Sequence, residues 1–251
     1  MRAILHSFLS FCDHYAAQVP EKSIHTNLKR DHSLRVHALA YRIARAEQVR
    51  DVFPFRLAAL VHDIGRFPQF ITYGTYRDAD SVDHGDLGAE LLEQNRFLDF
   101  VSEDLRKLII AVVRWHNKKD IPEHLDSLTH AVLTVVRDAD KLDIIPVILK
   151  TLKSERLSEG VVTMGLMHEP SQWSPKIVDQ VYQGQKPAYA DLRFTNDFLI
   201  LLSSWGQQLN HAASQRIFVQ RGYLDKIFAF LPDHADFIQL KTILASRLAD
   251  H

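Results

Sequence analysis

The chain has 251 residues and a formal net charge of −1 at pH 7, because 30 lysines and arginines nearly balance 31 aspartates and glutamates. This balance argues against a nucleic-acid-binding surface, which needs an excess of positive charge. The single cysteine excludes an internal disulfide and a thiolate metal cluster, and nine glycines with nine prolines are few for a turn-rich all-β fold. No apolar run approaches the roughly 18 residues of a membrane span, and no signal peptide pattern is found, so we expect a cytoplasmic protein without a membrane anchor.

Apolar residues recur at helical spacing through the first part of the chain, which predicts successive amphipathic helices. The predicted helices are 32–46, 54–64, a segment that begins at His84, 103–116 and 127–143. Asp31 is the predicted N-cap of the first helix, and Pro54 and Gly65 are start and stop signals of the second. Residues 68–83 show no sustained period and are predicted to form a loop.

The second part of the chain repeats this helical patterning without an internal sequence repeat. Further helices are predicted near 173–184, 190–209 and 222–248, after a loop over 158–173. We therefore predict an all-α fold. Residues 1–155 are expected to form a helical domain, and residues 156–251 a helical C-terminal extension that packs on it.

Ionisable side chains interrupt the apolar stripes of five different predicted helices. They are His32, the adjacent His62 and Asp63, His84, His116 and Asp140. A buried imidazole or carboxylate costs on the order of several kcal/mol unless it is paired or bound to a metal. Alone, His32, His84 or His116 is more often an ordinary buried histidine, and Asp140 could equally cap a segment or pair with an arginine. The adjacent His62 and Asp63 break the apolar pattern twice in succession, which favours a functional site. Helix packing can bring all of them to one point, and a metal centre is the simplest partner that they could share.

The order of these residues resembles the HD-domain superfamily of metal-dependent phosphohydrolases, whose pattern is H…HD…D. The resemblance covers roughly residues 30–145 and lies in HSLRV with His32, ALVHDIG with His62 and Asp63, and RDADKLD with Asp140. The segments DHGDLGAELL and VVRWHN are similar to those that carry two additional histidines in the dinuclear subgroup, H…HD…H…H…D. The fold implied is an HD-domain helical bundle.

The resemblance implies one or two divalent transition metal ions, with Asp63 as the bridge between two. The implied ligands are His32, His62 and Asp140, mainly for one ion, and His84 and His116 for the other. Imidazole and carboxylate ligands suit Mn, Fe, Co, Ni or Zn better than Mg, which prefers oxygen. Asp140 is preferred to Asp138 because it follows Ala139, as in the AD pair of the family.

The function implied by the resemblance is that of an enzyme, a metal-dependent phosphohydrolase. It would cleave a phosphoester or phosphoanhydride of a small phosphorylated metabolite, with a nucleotide as the expected class, by metal-activated hydroxide. The predicted catalytic residues are Asp63, Arg66 and Lys141. The residues predicted to bind substrate phosphate are Arg66, Lys141, Arg35, Lys118 and Arg77. The segment from Thr72 to Asp83 could form a lid whose Tyr73 and Tyr76 stack on a base, or an ordinary surface loop.

Two other functions fit the same residues. Some HD-like proteins with six such ligands use a di-iron centre to oxidise a C–H bond with O₂, for example in a phosphonate or a polyol. A noncatalytic regulatory module ranks last, because every expected ligand position is filled. Hydrolysis of cyclic-di-GMP or of alarmones is disfavoured: a glycine-tyrosine-proline signature is absent, and Ile64, Gly65 and Arg66 replace the acidic pair of alarmone hydrolases.

Overall fold

The computed structural model describes residues 2–153 and 165–249 of the chain. Within these ranges the regular structure is helical, and the one β-type pairing is an isolated bridge between Met167 and Phe194. The predicted all-α fold is confirmed. The chain forms two compact units, residues 1–143 and residues 144–251. The predicted domain boundary at residue 155 lies outside the described residues and remains a prediction.

The first unit holds the helices that carry the predicted ligands. These helices are α1 (Arg2–Gln18), α2 (Ser23–Ala46), α3 (Phe53–Val61), α4 (Arg66–Tyr73), α5 (His84–Gln94), α6 (Glu103–Trp115) and α7 (Ser127–Lys153), which continues beyond the unit. Helices α2 and α6 pack against α3. The side chains from Leu57 to Val61 are fully buried, as expected for a short helix that is apolar on all sides.

Helix α2 is longer than the sequence pattern predicts. It begins at Ser23, so the predicted N-cap Asp31 lies inside the helix, where it pairs with Arg30. The N-cap prediction was wrong because this end of the helix is mostly polar and shows no apolar stripe. Helix α1 packs against α2 and supports it through tertiary contact. The additional turns place Lys29 on the same helix as His32.

The predicted loop over 68–83 is wrong in its first part, where α4 forms. Phe67 and Phe70 are buried, and the Phe67 ring contacts aromatic rings of α1. A helix of two turns is too short to give a readable period, so tertiary packing decides its structure. Gly74 ends α4 with a positive φ of 68°, a left-handed conformation that glycine adopts without strain.

The turn after α3 lies in close contact with the start of α5. A Cβ atom added to Gly65 would lie 2.2 Å from the carbonyl oxygen of His84 and 2.6 Å from the backbone nitrogen of Gly88. Only a glycine permits this approach. The contact brings His62 and Asp63, just before Gly65, next to His84 at the first position of α5.

The second unit is built around one buried helix. Its helices are α8 (Pro175–Tyr182), α9 (Thr195–Ser204), α10 (Ala212–Gln220), α11 (Tyr223–Phe228) and α12 (Ala235–Ala249). Helix α9 is buried along its length. The sequence pattern did not predict α10, and the single helix predicted near 222–248 is two helices, α11 and α12. In the part of the chain that the structure describes, no helix combines the length and apolar character that a membrane crossing requires.

Candidate metal centre

The structure brings together all six predicted ligand side chains, from five helices of the first unit and the turn that follows α3. His32 lies on α2, His62 at the C-terminal end of α3, Asp63 in the following turn, His84 at the start of α5, His116 at the end of α6 and Asp140 on α7. Five of these side chains are buried, and 22% of the Asp140 side chain is exposed. The cluster therefore lies in the interior of the unit, with Asp140 at its accessible side.

One oxygen of Asp63 faces the first group of ligand atoms. Asp63 Oδ2 lies 3.6 Å from His32 Nε2 and 3.8 Å from His62 Nε2. Asp140 Oδ1 lies 3.0 Å from His32 Nε2 and 3.7 Å from His62 Nε2. We call His32, His62, Asp140 and Asp63 Oδ2 the first half-site.

The other oxygen of Asp63 faces the second group. Asp63 Oδ1 lies 3.4 Å from His84 Nε2 and 3.7 Å from His116 Nε2. The two imidazole Nε2 atoms are 3.0 Å apart. We call His84, His116 and Asp63 Oδ1 the second half-site. The two oxygens of a single carboxylate thus point to two different groups of ligand atoms.

All four histidines have the Nδ1 atom held by an acceptor outside the cluster. The Nδ1 atoms of His62 and His116 lie 2.8 Å and 2.7 Å from the carbonyl oxygens of Ala59 and Val113. A carbonyl oxygen only accepts hydrogen bonds, so these Nδ1 atoms carry the proton. In a neutral imidazole the Nε2 lone pair then points into the cluster.

The remaining two histidines have carboxylate partners. His32 Nδ1 lies 2.7 Å from Asp143 Oδ2, and His84 Nδ1 lies 2.7 Å from Asp78 Oδ2. An ionised carboxylate accepts hydrogen bonds, so it favours the same tautomer as a carbonyl does. Each half-site therefore has one imidazole oriented by a backbone carbonyl and one oriented by a carboxylate.

The donor set fits divalent transition metal ions. Among the described residues, the buried Nε2 atoms of His32 and His62 have no hydrogen-bond partner. Two sets of three residues each have all their ligand atoms within 4.8 Å of one another. These sets are His32, His62 and Asp140, and His62, Asp63 and His116. Imidazole nitrogens with free lone pairs, together with carboxylate oxygens, match the preferences of Mn, Fe, Co, Ni and Zn.

Comparison with protein families agrees with this arrangement. Residues 30–145 match the family model of the HD domain. This part of the chain is an HD domain. Neither a curated protein nor a solved structure matches the chain. HD domains bind divalent metals, and most members of the family are metal-dependent hydrolases, although some are noncatalytic.

Two cations flank the central carboxylate of the HD domain. Lys29 Nζ donates a hydrogen bond of 2.8 Å to Asp63 Oδ2, and Arg66 Nε lies 3.5 Å from Asp63 Oδ1. Both cations also lie over the ring of Tyr76, at 5.4 Å and 6.0 Å from its centroid. Sequence reasoning missed Lys29, because a lysine on the polar part of a helix gives no signal that it reaches a buried carboxylate.

These charges shift the ionisation of the central groups. Burial alone would raise the pKa of Asp63, but the Lys29 ammonium and His62 hold this pKa well below the usual aspartate range. Burial, followed by the positive charge of Arg66, lowers the pKa of His84 to about 3. Asp63 is therefore anionic and His84 neutral at pH 7, which are the forms that bind metal ions.

The predicted phosphate-binding residues of the HD domain have carboxylate partners in most cases. Arg35 donates to both oxygens of Asp143, at 2.8 Å and 2.9 Å, and 46% of its side chain is exposed. The other two pairings are Lys118 with Asp83 and Asp86, and Arg77 with Asp80. Lys141 follows Asp140 on α7 and is partly buried. The substrate-binding role of these residues remains a prediction.

Arg66 is held by the segment that follows α4. Its Nη1 atom donates to Asp78 Oδ1 at 2.8 Å, to Gln69 Oε1 at 2.9 Å and to the Tyr76 carbonyl oxygen. The Tyr76 ring stacks on Phe70, with ring centroids 4.8 Å apart. Of the two tyrosines proposed for base stacking, Tyr76 is therefore engaged in packing, whereas Tyr73 is 48% exposed.

Proposed function

We propose that the HD domain is a metal-dependent phosphohydrolase that acts on a small phosphorylated metabolite, with nucleotides as the substrate class to test first. The arrangement around Asp63 carries this proposal. Its two oxygens face two separate sets of imidazole Nε2 atoms, the first with Asp140 beside it. A buried carboxylate that serves two groups of metal-ligating nitrogens suits a centre of two ions. The six predicted ligands, His32, His62, Asp63, His84, His116 and Asp140, are proposed to hold these ions.

Phosphate ester hydrolysis needs a nucleophile and a way to offset negative charge. When bound, a pair of divalent ions supplies a water molecule of lowered pKa and neutralises charge on the phosphoryl oxygens. The contribution of this chain is to keep Asp63 ionised and each imidazole in the Nε2-accepting tautomer. The hydrogen bonds of the Nδ1 atoms serve this role, since they fix both ring orientation and proton position.

Two cations beside Asp63 are proposed to hold the phosphate group of the substrate. Lys29 has 19% and Arg66 has 15% of its side chain exposed, so both are accessible at the edge of the buried cluster. Lys29 places an ammonium group on a flexible stem at one side of the carboxylate, and Arg66 places a planar guanidinium group at the other. Lys141, which follows Asp140, is proposed to add a third positive charge.

The proposal can be tested by a hydrolysis screen. Purified protein loaded with Mn²⁺, Co²⁺ or Zn²⁺ should release phosphate or nucleotide from at least one member of a panel of nucleotides, sugar phosphates and phosphodiesters. Asp63→Asn should abolish this activity. Asp99→Asn is the matched control, because Asp99 pairs with Arg96 at the surface and makes no described contact with the cluster.

The same screen separates hydrolysis from oxidation. We expect turnover under anaerobic conditions with Mn²⁺, because hydrolysis consumes no O₂. If the protein instead consumes O₂ only when loaded with iron and an organic phosphonate or polyol, the proposed hydrolysis is wrong. Metal-loaded, folded protein that acts on no member of the panel in either assay would favour a noncatalytic HD domain.

A further inference from the structure

We propose that Asp143 and Asp78 are positioning residues, each of which fixes the proton of one histidine in one half of the metal centre. Asp143 acts on His32 of the first half-site, and Asp78 acts on His84 of the second. The inference rests on the proposed two-ion centre. It goes beyond that centre because it assigns a separate control of metal affinity to each half.

The first pair is built between α2 and α7. Asp143 is almost fully buried, and its Oδ2 atom accepts from His32 Nδ1 at 2.7 Å and from Arg35 Nη2 at 2.9 Å. Its Oδ1 atom accepts from Arg35 Nε at 2.8 Å. A carboxylate engaged by both arms of a guanidinium is ionised and fixed in orientation. Asp143 therefore fixes a proton on His32 Nδ1 and turns Nε2, the nitrogen that could bind a metal ion, toward Asp63 and Asp140.

The second pair is built from the segment between α4 and α5. Asp78 Oδ2 accepts from His84 Nδ1 at 2.7 Å, and Asp78 Oδ1 accepts from Arg66 Nη1 at 2.8 Å and Gln69 Nε2 at 2.9 Å. Asn117 Nδ2 donates to Oδ2 at 3.3 Å. All four hydrogen-bond partners are donors, so a carboxylate is required at this position. This segment therefore contributes to the centre through Asp78.

The two pairs share one design although they come from unrelated parts of the chain. In each, an arginine holds an aspartate, and the aspartate holds a histidine whose other nitrogen faces Asp63. The remaining histidine of each half-site is oriented by the carbonyl three residues before it. Arg35 and Arg66 thus support ligand orientation, and Arg66 has this role in addition to the phosphate binding proposed above.

An asparagine at either aspartate tests the proton position with little change in shape. At Asp78, an asparagine can accept from Arg66 or from His84 but not from both. If its amide nitrogen faces His84, the imidazole proton moves to Nε2 and this nitrogen can no longer bind a metal ion. Loss of such an orienting partner weakens metal binding about 10-fold to 100-fold.

The experiment is a chelator competition with Mn²⁺ and Co²⁺ on metal-free protein, which yields the stoichiometry and the dissociation constant of each ion. Wild type should bind two ions. Asp78→Asn and Asp143→Asn should each weaken one of the two by about 10-fold to 100-fold and leave the other within about threefold. Asp80→Asn and Asp31→Asn are matched controls, because both aspartates pair with surface arginines.

A double-mutant comparison shows whether each aspartate acts through its histidine. With His84→Asn already present, Asp78→Asn should cause no further loss of metal affinity, whereas with His32→Asn present it should cause its full loss. Thermal unfolding of the metal-free variants checks that they fold.

Folded Asp78→Asn and Asp143→Asn proteins that bind both ions as tightly as wild type would overturn the inference. So would additive losses in the matched pair. Wild-type protein that binds fewer than two ions would overturn the two-ion centre and this inference together.

Discussion

Lys29 Nζ and Asp63 Oδ2 are 2.8 Å apart, and this same oxygen faces the Nε2 atoms of His32 and His62. An ammonium group thus occupies one side of the carboxylate that is proposed to join the two half-sites. The Lys29 side chain is 19% exposed, so solvent screens its charge only in part. Its charge keeps Asp63 ionised, and the same charge repels any divalent cation that approaches this oxygen.

Replacement of Lys29 by methionine should therefore tighten metal binding. Methionine keeps the length and apolar stem of lysine and removes the charge. We expect the dissociation constant of the more strongly affected ion to fall about tenfold, equivalent to about 1.4 kcal/mol. Titration of metal-free protein with Mn²⁺ measures this. Lys107→Met is the surface control, because Lys107 is 70% exposed and pairs with Glu103. Weaker metal binding in Lys29→Met would instead mean that the lysine is needed to orient Asp63.

The close approach at Gly65 predicts a large loss of stability on substitution. In Gly65→Ala the new methyl group would overlap the His84 carbonyl oxygen and the Gly88 backbone, so the turn after α3 has to move away from α5. We expect a loss of about 2–4 kcal/mol in the free energy of unfolding, measured by urea denaturation. Gly74→Asn is the control, since no atom lies within 4 Å of a Cβ there and asparagine tolerates positive φ. A loss below about 1 kcal/mol in Gly65→Ala would contradict the packing described.

His37 predicts a pH dependence of stability that is independent of the metal ligands. Burial, together with the neighbouring Arg56 guanidinium, lowers the pKa of His37, although a hydrogen bond to the Arg56 carbonyl oxygen opposes this. In the unfolded chain His37 is protonated as the pH falls through about 6.5, whereas in the folded protein it stays neutral to a lower pH. The free energy of unfolding should therefore fall as the pH drops from 7.5 to 5.5.

His37→Gln isolates this contribution, because glutamine can also donate to the carbonyl oxygen and accept from Arg56. Urea denaturation of metal-free protein at both pH values should show a smaller decrease for His37→Gln than for wild type. All other histidines are common to the two proteins, so their contributions cancel in the comparison. An equal or larger decrease in the variant would show that His37 does not titrate as proposed.

The sequence was sufficient to predict the helical class, the HD domain and the six side chains that the structure brings together. This succeeded because ionisable groups on apolar helical stripes are costly unless they share a partner, and because the fold places those stripes around α3. Neither Lys29 nor Asp78 could be predicted in the same way. Lys29 lies on a polar helix end and Asp78 in a segment without periodicity, and only the tertiary structure shows that their side chains reach the cluster.

Asp143 was missed for a different reason. It follows Asp140 by three residues on α7, so helical spacing does place it near the cluster. Asp140 already filled the last aspartate position of the family pattern, so no role was left to assign to Asp143. Nothing in the sequence distinguished a carboxylate that orients a histidine from one exposed to solvent. The charges of Arg35 and Arg66 were visible, but their carboxylate partners were not.

The central claim is that Asp63 joins two metal sites through its two oxygens. Electron paramagnetic resonance of Mn²⁺-loaded protein, combined with elemental analysis, tests it most directly. We expect two manganese ions per chain with the signature of a magnetically coupled pair in wild type, one isolated ion in His116→Asn, and little bound metal in Asp63→Asn. An uncoupled single-ion spectrum in wild type, or an Asp63→Asn variant that retains two ions, would contradict the account.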